Sequence, residues 1–348
     1  MEKYLRRCLD SLIIDEEGMK QLEVLVINDG SKDSSSQIAH EYQDKYPDTF
    51  RVIDKENGNY GSCINRGLKE ATGKYVKVLD ADDWFESDNL FLFLKYLNRA
   101  NVDLVLSKCK KINELGYSIW IIGIPSRFPF KKYNIGNIIT DKRTSLQMHC
   151  VTYKTELVRE IKYHQIEGIS YTDQLWVTYP MSAVKSYMVF PRHLYVYLIG
   201  REGQTMDISV MNTKLNDEIL VCNQILDWID ENPKPNIDYE FIRHKMVSRI
   251  FSLYYNHCIC GLYKKEEFSM FSKSLINRCP EIIKLSERIC GKKFSYNYIL
   301  NYNVGTFDKG EKISYNIIPN SNFEKLKKGL KCTFDAIIGL YMKARLYL

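Results

Sequence analysis

Along the first 110 residues the apolar positions switch repeatedly between two periods. Residues 2–13, EKYLRRCLDSLI, place Tyr4, Leu5, Cys8, Leu9 and Leu12 at helical spacing. Residues 22–28, LEVLVIN, form a short β-forming run bounded by polar residues, the pattern of a buried strand. The segment 31–46 opens with helix-capping residues and continues at a helical period. FRVIDK (50–55) reads as a second strand, YGSCINRGLKEA (60–71) as a helix closed by Gly73, and KYVKVLD (74–80) as a third strand. A helix capped by Ser87 is expected over 87–100, and VDLVLSKC (102–109) as a fourth strand. Strand and helix alternating at this pitch predict βαβ units, hence an α/β fold with a mostly parallel sheet flanked by helices.

From 110 to 205 the pattern loosens. YSIWIIGIP (117–125) reads as a strand, 144–158 as a strand running into a helix, 171–182 as a helix start and 186–200 as strands. Beyond residue 210 helical periods dominate over 211–231, 238–260 and 264–277, with ENPKPN (231–236) as a break. These shifts predict an α/β domain over 1–205, in halves 1–109 and 110–205, followed by a helical region over 206–348.

Composition narrows the classes. A chain of 348 residues with 45% hydrophobic and 26% charged positions can bury a sizeable core. Its net charge of +6 is mild and dispersed, which suits an anionic substrate or a membrane surface and argues against nucleic acid. The ten cysteines include no CxxC pair, so they read as reduced thiols of a cytoplasmic protein. No run approaches the ~18 apolar residues of a spanning helix. Residues 323–348 mix Phe323, Leu326, Leu330, Phe334, Ile337 and Ile338 with Lys325, Lys327, Lys328 and Lys331. That is the make-up of an interfacial helix on the inner face of a membrane, or of a helix that packs on the domain.

The candidate chemistry sits at strand ends, where ligands of such sheets gather. VLDADD (78–83) places Asp80, Asp82 and Asp83 at the end of the third strand. Hard divalent cations such as Mg2+ or Mn2+ are held by one or two carboxylates plus substrate phosphates, and an Asp-x-Asp edge supplies them. Solvated aspartates capping a loop give the same tripeptide. VINDGS (26–31) puts Asn28, Asp29 and Gly30 at another strand end, on the same expected rim. An Asp there can accept from a pyrimidine N–H or a ribose hydroxyl, and Gly30 permits a tight turn beside a ligand. ENGNYGSCINRG (56–67) is a Gly- and Asn-rich entry to a helix, suited to close packing against a nucleotide.

Together LEVLVINDGSKDSS, ENGNYGSCINRGLKEATGKYVKVLDADDWF and YTDQLWVTYP resemble the family 2 glycosyltransferases over about residues 1–205. The resemblance implies a GT-A fold, a nucleotide-diphospho-sugar donor (a UDP-sugar), a glycan or lipid-linked acceptor and a role in bacterial surface polysaccharide synthesis. It implies that Asp29 and Gly30 meet the nucleobase, with Asn57 and Asn65 in the donor-binding segment. Asp80 would lie near ribose and metal, Asp82 would hold the divalent cation, and Asp83 would serve either structure or ligand. Asp173, at a helix start, corresponds to the general base of an inverting displacement; alternatively it serves the helix dipole. YLIGREGQTM (197–206) resembles the segment that closes over the diphosphate, with Arg201, Gln204 and Thr205 as its phosphate contacts, and reads equally as a surface loop. His149 falls where an acceptor pocket would form or in the core, and Trp84 under the acidic turn.

Two departures follow from the same resemblance. Relatives begin with a strand of the type SIIIPVYN before the stretch matching EKYL, so a central strand is expected to be missing here. Ile64 stands before Asn65 where many relatives carry Arg. The Gln-x-x-Arg-Trp signature of processive synthases is absent, which implies one sugar per encounter. The alternatives are a non-catalytic nucleotide-binding remnant and a sugar nucleotidyltransferase, whose Gly-rich basic N-terminal loop is not found.

Overall fold

The computed structural model describes residues 1–122, 124, 128, 130–136, 146–201, 203–204, 210, 213–231, parts of 240–253, 266–280 and 283–284. Helix α1 (Glu2–Asp10) turns Leu5, Cys8 and Leu9 inward, as its spacing predicts. A short helix α2 (Glu16–Met19) is capped by the Asp15 carboxylate, which accepts from Gly18 N–H. Strand β1 (Val24–Asp29), helix α3 (Ser35–Lys45), strand β2 (Phe50–Lys55) and helix α4 (Asn59–Glu70) follow the expected order. β1 and β2 pair in parallel from Val24↔Phe50 to Asp29↔Lys55.

The larger sheet runs β3 (Tyr75–Val76), β8 (Val151–Lys154), β5 (Leu104–Asn113), β9 (Ser186–Ile199) and β4 (Trp84–Phe85). β6 (Ser118–Ile122) pairs with β5 and β7 (Tyr133–Asn134) with β9. Its long parallel ladder is β5–β9, from Leu104↔Tyr187 to Asn113↔Ile199. The register shifts between Ser107↔Phe190 and Lys108↔His193, where Pro191 lacks the N–H a ladder needs. The segment expected as several strands over 186–200 is therefore one bulged strand. Leu104, Val105 and Leu106 are fully buried in the middle of this sheet. Helices α5 (Ser87–Arg99), α6 (Thr155–Glu160) and α7 (Asp173–Ala183) complete the domain.

Three local expectations are corrected. KYVKVLD is a ladder only at Tyr75–Val76. Beyond Val76 the Lys77 ammonium takes the carbonyls of His149 (2.7 Å) and Val151 (3.2 Å) in place of a ladder. The α5 cap position is Glu86; Ser87 lies inside the helix and donates to the Ser11 carbonyl at 3.1 Å. β1 is a strand but no residue of it is fully buried. Among the described residues it pairs only with β2, and no ladder joins it to β3.

By its contacts the chain divides into two compact units, 1–210 with 227–245, and 211–226 with 246–348. Helix α8 (Leu215–Glu231) and helix α9 (Glu266–Arg278) fall where helical periods were expected. In the second unit Glu218, 1% exposed, forms a 2.7 Å ion pair with Arg249. The break at 231–236, nearly all of it, most of 238–260, and the basic-apolar stretch 323–348 lie outside the described residues. Among those described, the six cysteines are free thiols and no helix is long and apolar enough to cross a membrane.

Candidate active site

The acidic turn joins β3 to β4, and β9 holds it in place. Asp83 is fully buried and accepts from the Tyr195 hydroxyl (2.7 Å) and the Leu198 N–H (2.8 Å). The same tyrosine oxygen accepts from Asp80 N–H at 3.1 Å. α1 supports the outer side: Arg7 reaches the Asp82 carbonyl (3.4 Å) and stacks its guanidinium 3.7 Å over the Trp84 ring. Because β9 runs directly into residues 200–204, it delivers Arg201 to the Asp82 carboxylate, where the two form an ion pair.

Four carboxylates converge here. Burial lifts Asp80 to about 7, with the charges of Asp82 and then Asp173 adding to the shift. Burial lifts Asp83 to about 8, with Asp80 and Asp82 adding to it. Tyr197 is pushed above its ordinary range by burial and by Asp83, Asp80, Asp173 and Asp82 in turn. Tyr60 rises by burial, then through Asp80 and Asp173. Asp173, the first residue of α7, thus shares one electrostatic site with a turn far from it in sequence.

His149 completes the cluster. It stacks on Tyr197 (4.4 Å between centroids) and meets Tyr195 edge-on. Burial, then Lys111 and Lys77, lower it to about 3, so the ring is neutral at physiological pH. Its Nδ1 is buried without a hydrogen-bond partner. One ligand atom from each of Asp80, Asp83 and His149 lies within 4.8 Å of the others. An oxygen-rich set with one unsatisfied imidazole nitrogen fits a divalent cation.

The other residues singled out by sequence are spread along the fold. Asp29 Oδ1 accepts from Lys55 and from Gly58 N–H (2.9 Å), and Asn57 Nδ2 donates to the Asp29 carbonyl at 3.0 Å. Gly30 has φ +69°, and a Cβ there would lie 3.1 Å from Asn57 N, so any other side chain would be strained. Asn65 faces the loop before α7: its Oδ1 accepts from Gln165 N–H (2.8 Å) and its Nδ2 donates to the Gln165 carbonyl (2.9 Å). Gln204 Nε2 donates to the Leu198 carbonyl (2.8 Å) and its Oε1 accepts from Gly200 N–H (3.0 Å), closing its own loop. Thr205 lies outside the described residues. Tyr195, Gln165 and Lys77 carry the architecture of this region, and sequence reading missed all three. A tyrosine among strand tyrosines and a lone glutamine leave no local pattern.

The mixed α/β sheet, with the acidic turn between β3 and β4 held against β9, has the architecture of the GT-A fold. A crystal structure of Staphylococcus aureus TarS 1–349 in complex with UDP-GlcNAc shares that fold at TM-score 0.62 and 19% identity, over 89% of each chain. Residues 1–162 match the family model described as Glycosyl transferase family 2. An uncharacterized glycosyltransferase of Mycoplasma genitalium is 24% identical over 64% of this chain and 74% of its own length. The poly(ribitol-phosphate) beta-N-acetylglucosaminyltransferase TarS of S. aureus is 26% identical over 71% of this chain, which spans 43% of that protein.

Proposed function

We propose that the chain is an inverting, metal-dependent transferase that moves one sugar from a UDP-sugar to a polyol-phosphate, glycan or lipid-linked acceptor of a bacterial surface polymer. The observation that carries this reading is the cluster of Asp80, Asp83 and His149, with one ligand atom of each within 4.8 Å of the others, beside which Asp173 adds to the raised pKa of Asp80. Asp173 takes the proton from the acceptor hydroxyl. The hydroxyl oxygen then bonds to the anomeric carbon from the face opposite the donor's diphosphate, as the bond from that carbon to the diphosphate oxygen breaks. Asp80 and Asp82 would hold Mn2+ or Mg2+, with Asp83 and His149 close by. When bound, the cation supplies charge neutralisation for the leaving nucleoside diphosphate. Arg201 pairs with Asp82 and would supply positive charge beside the diphosphate. Asp29, Gly30 and Asn57 border the nucleobase. The relative named for poly(ribitol-phosphate) and the UDP-GlcNAc complex of TarS support the donor and acceptor classes. The basic and apolar stretch 323–348 supports a peripheral membrane location beside a lipid-linked acceptor.

The test pairs binding with turnover. Thermal unfolding with UDP, GDP, dTDP or CMP, each with and without Mn2+, should show stabilisation by UDP that requires metal. UDP release from a panel of UDP-sugars should then require an acceptor, and the product should carry the opposite anomeric configuration. No shift with any nucleotide would instead support a non-catalytic remnant.

A further inference from the structure

Helix α4 was expected to face the donor, yet its polar and glycine positions face a loop of the protein. Gly61 and Asn65, four apart, share one face of α4, and Gly58 is its cap residue. The loop 163–172 lies along it. Gly168 N–H donates to the Gly58 carbonyl at 2.9 Å. A Cβ on Gly61 would come within 1.8 Å of the Ile166 carbonyl oxygen, so only glycine allows that approach. Asn65 spends its amide on the loop, bonding both the N–H and the C=O of Gln165 and donating to Glu167 Oε1 at 2.8 Å. Both of its donor hydrogens are thereby used.

The chain of contacts continues to the head of α7. Gln165 is fully buried; its Oε1 accepts from the Tyr163 hydroxyl (2.8 Å) and its Nε2 donates to Thr172 Oγ1 (2.8 Å). Thr172 occupies the cap position of α7 but makes no side-chain cap bond. A threonine at that position normally accepts from the first turn and stabilises its helix by about 1 kcal/mol. Here its hydroxyl is spent on Gln165 instead, one residue before Asp173. The backbone is strained at both ends of this loop: Lys162, just before it, and Tyr171, beside Thr172, have φ +50° and +60°, values costly outside glycine. A strained loop persists where its surroundings over-determine it, and the α4 face supplies the restraint.

We propose that Asn65, Gln165 and Thr172 are positioning residues that fix Asp173 against the acidic turn. This rests on Asp173 being the proton acceptor. Helix α4 then sets the reach of the base rather than gripping the donor. Misplacing a reacting group by about 1 Å can cost about 100-fold in rate.

Asn65→Ala, Thr172→Val and Asp173→Asn test this, with UDP release from UDP-GlcNAc as the rate and calorimetry with UDP and Mn2+ as the affinity. Asn65→Ala and Thr172→Val should lower kcat by about 10- to 100-fold while the UDP affinity stays within about twofold. In an Asp173→Asn background Asn65→Ala should cost nothing further, because both act through one carboxylate. Amide exchange at 173–176 should quicken in Asn65→Ala and Thr172→Val. Loss of UDP affinity with kcat retained, an additive loss in the double variant, or unchanged exchange at 173–176 overturns the proposal. Thr172→Val keeps side-chain shape and decides the matter if Asn65→Ala does not fold. Full turnover in Asp173→Asn removes the base assignment alone, and the exchange readout still reports whether the relay anchors α7.

Discussion

The two acidic turns look alike in sequence and differ in what balances them. Asp29, at the end of β1, meets the ammonium of Lys55 and the N–H of Gly58, so its charge is answered within its own neighbourhood. The turn at 80–83 gathers three carboxylates against one ion-paired arginine, Arg201, with Asp173 nearby. Burial, and after it the neighbouring carboxylates, lift Asp80 to about 7 and Asp83 to about 8. A locally neutralised aspartate is a tether. A crowded, buried set is poised to exchange protons for an external cation.

The largest effect belongs to the crowded side. Asp173→Asn should lower kcat by about 100- to 10,000-fold with UDP affinity little changed, measured by UDP release and calorimetry. Asp82→Asn should abolish the metal-dependent part of UDP stabilisation, a gain of about 2.7 kcal/mol at a hundred times the dissociation constant, read from thermal unfolding. A retained gain would shift the cation away from Asp82.

pH sharpens the contrast. Folded Asp80 and Asp83 titrate near 7 and 8, against an ordinary 3.8, so between these values the folded state binds more protons than the unfolded. Stability of the metal-free chain should therefore fall as pH rises from about 4 to about 8. Mn2+ must displace those protons, so its stabilisation should be larger at pH 8 than at pH 6. The reverse order would remove carboxylate crowding from the account. The smallest effect falls on the balanced turn: Asp29→Asn should cost about 1 kcal/mol or less in urea unfolding, because a part-exposed pair is lost while an amide oxygen remains to accept from Gly58.

Local chemistry alone determined much of this protein. The apolar periods of residues 1–109 name nearly every helix and strand there, because such elements are set by spacing and capping within a few residues. FRVIDK coincides with β2 to the residue. The acidic turns were legible because carboxylates packed at a strand end are conspicuous wherever the chain folds them. Tertiary structure decided the rest. KYVKVLD reads as one strand, yet Lys77 finds the carbonyls of His149 and Val151, partners that no local pattern announces. Asn65 reads as a donor contact, yet its amide is taken by Gln165, and Asp82 and Arg201, both expected to meet the ligand, meet each other. Hydrogen bonds and ion pairs are satisfied by whichever group the fold brings within about 3 Å, and sequence separation carries no information about that.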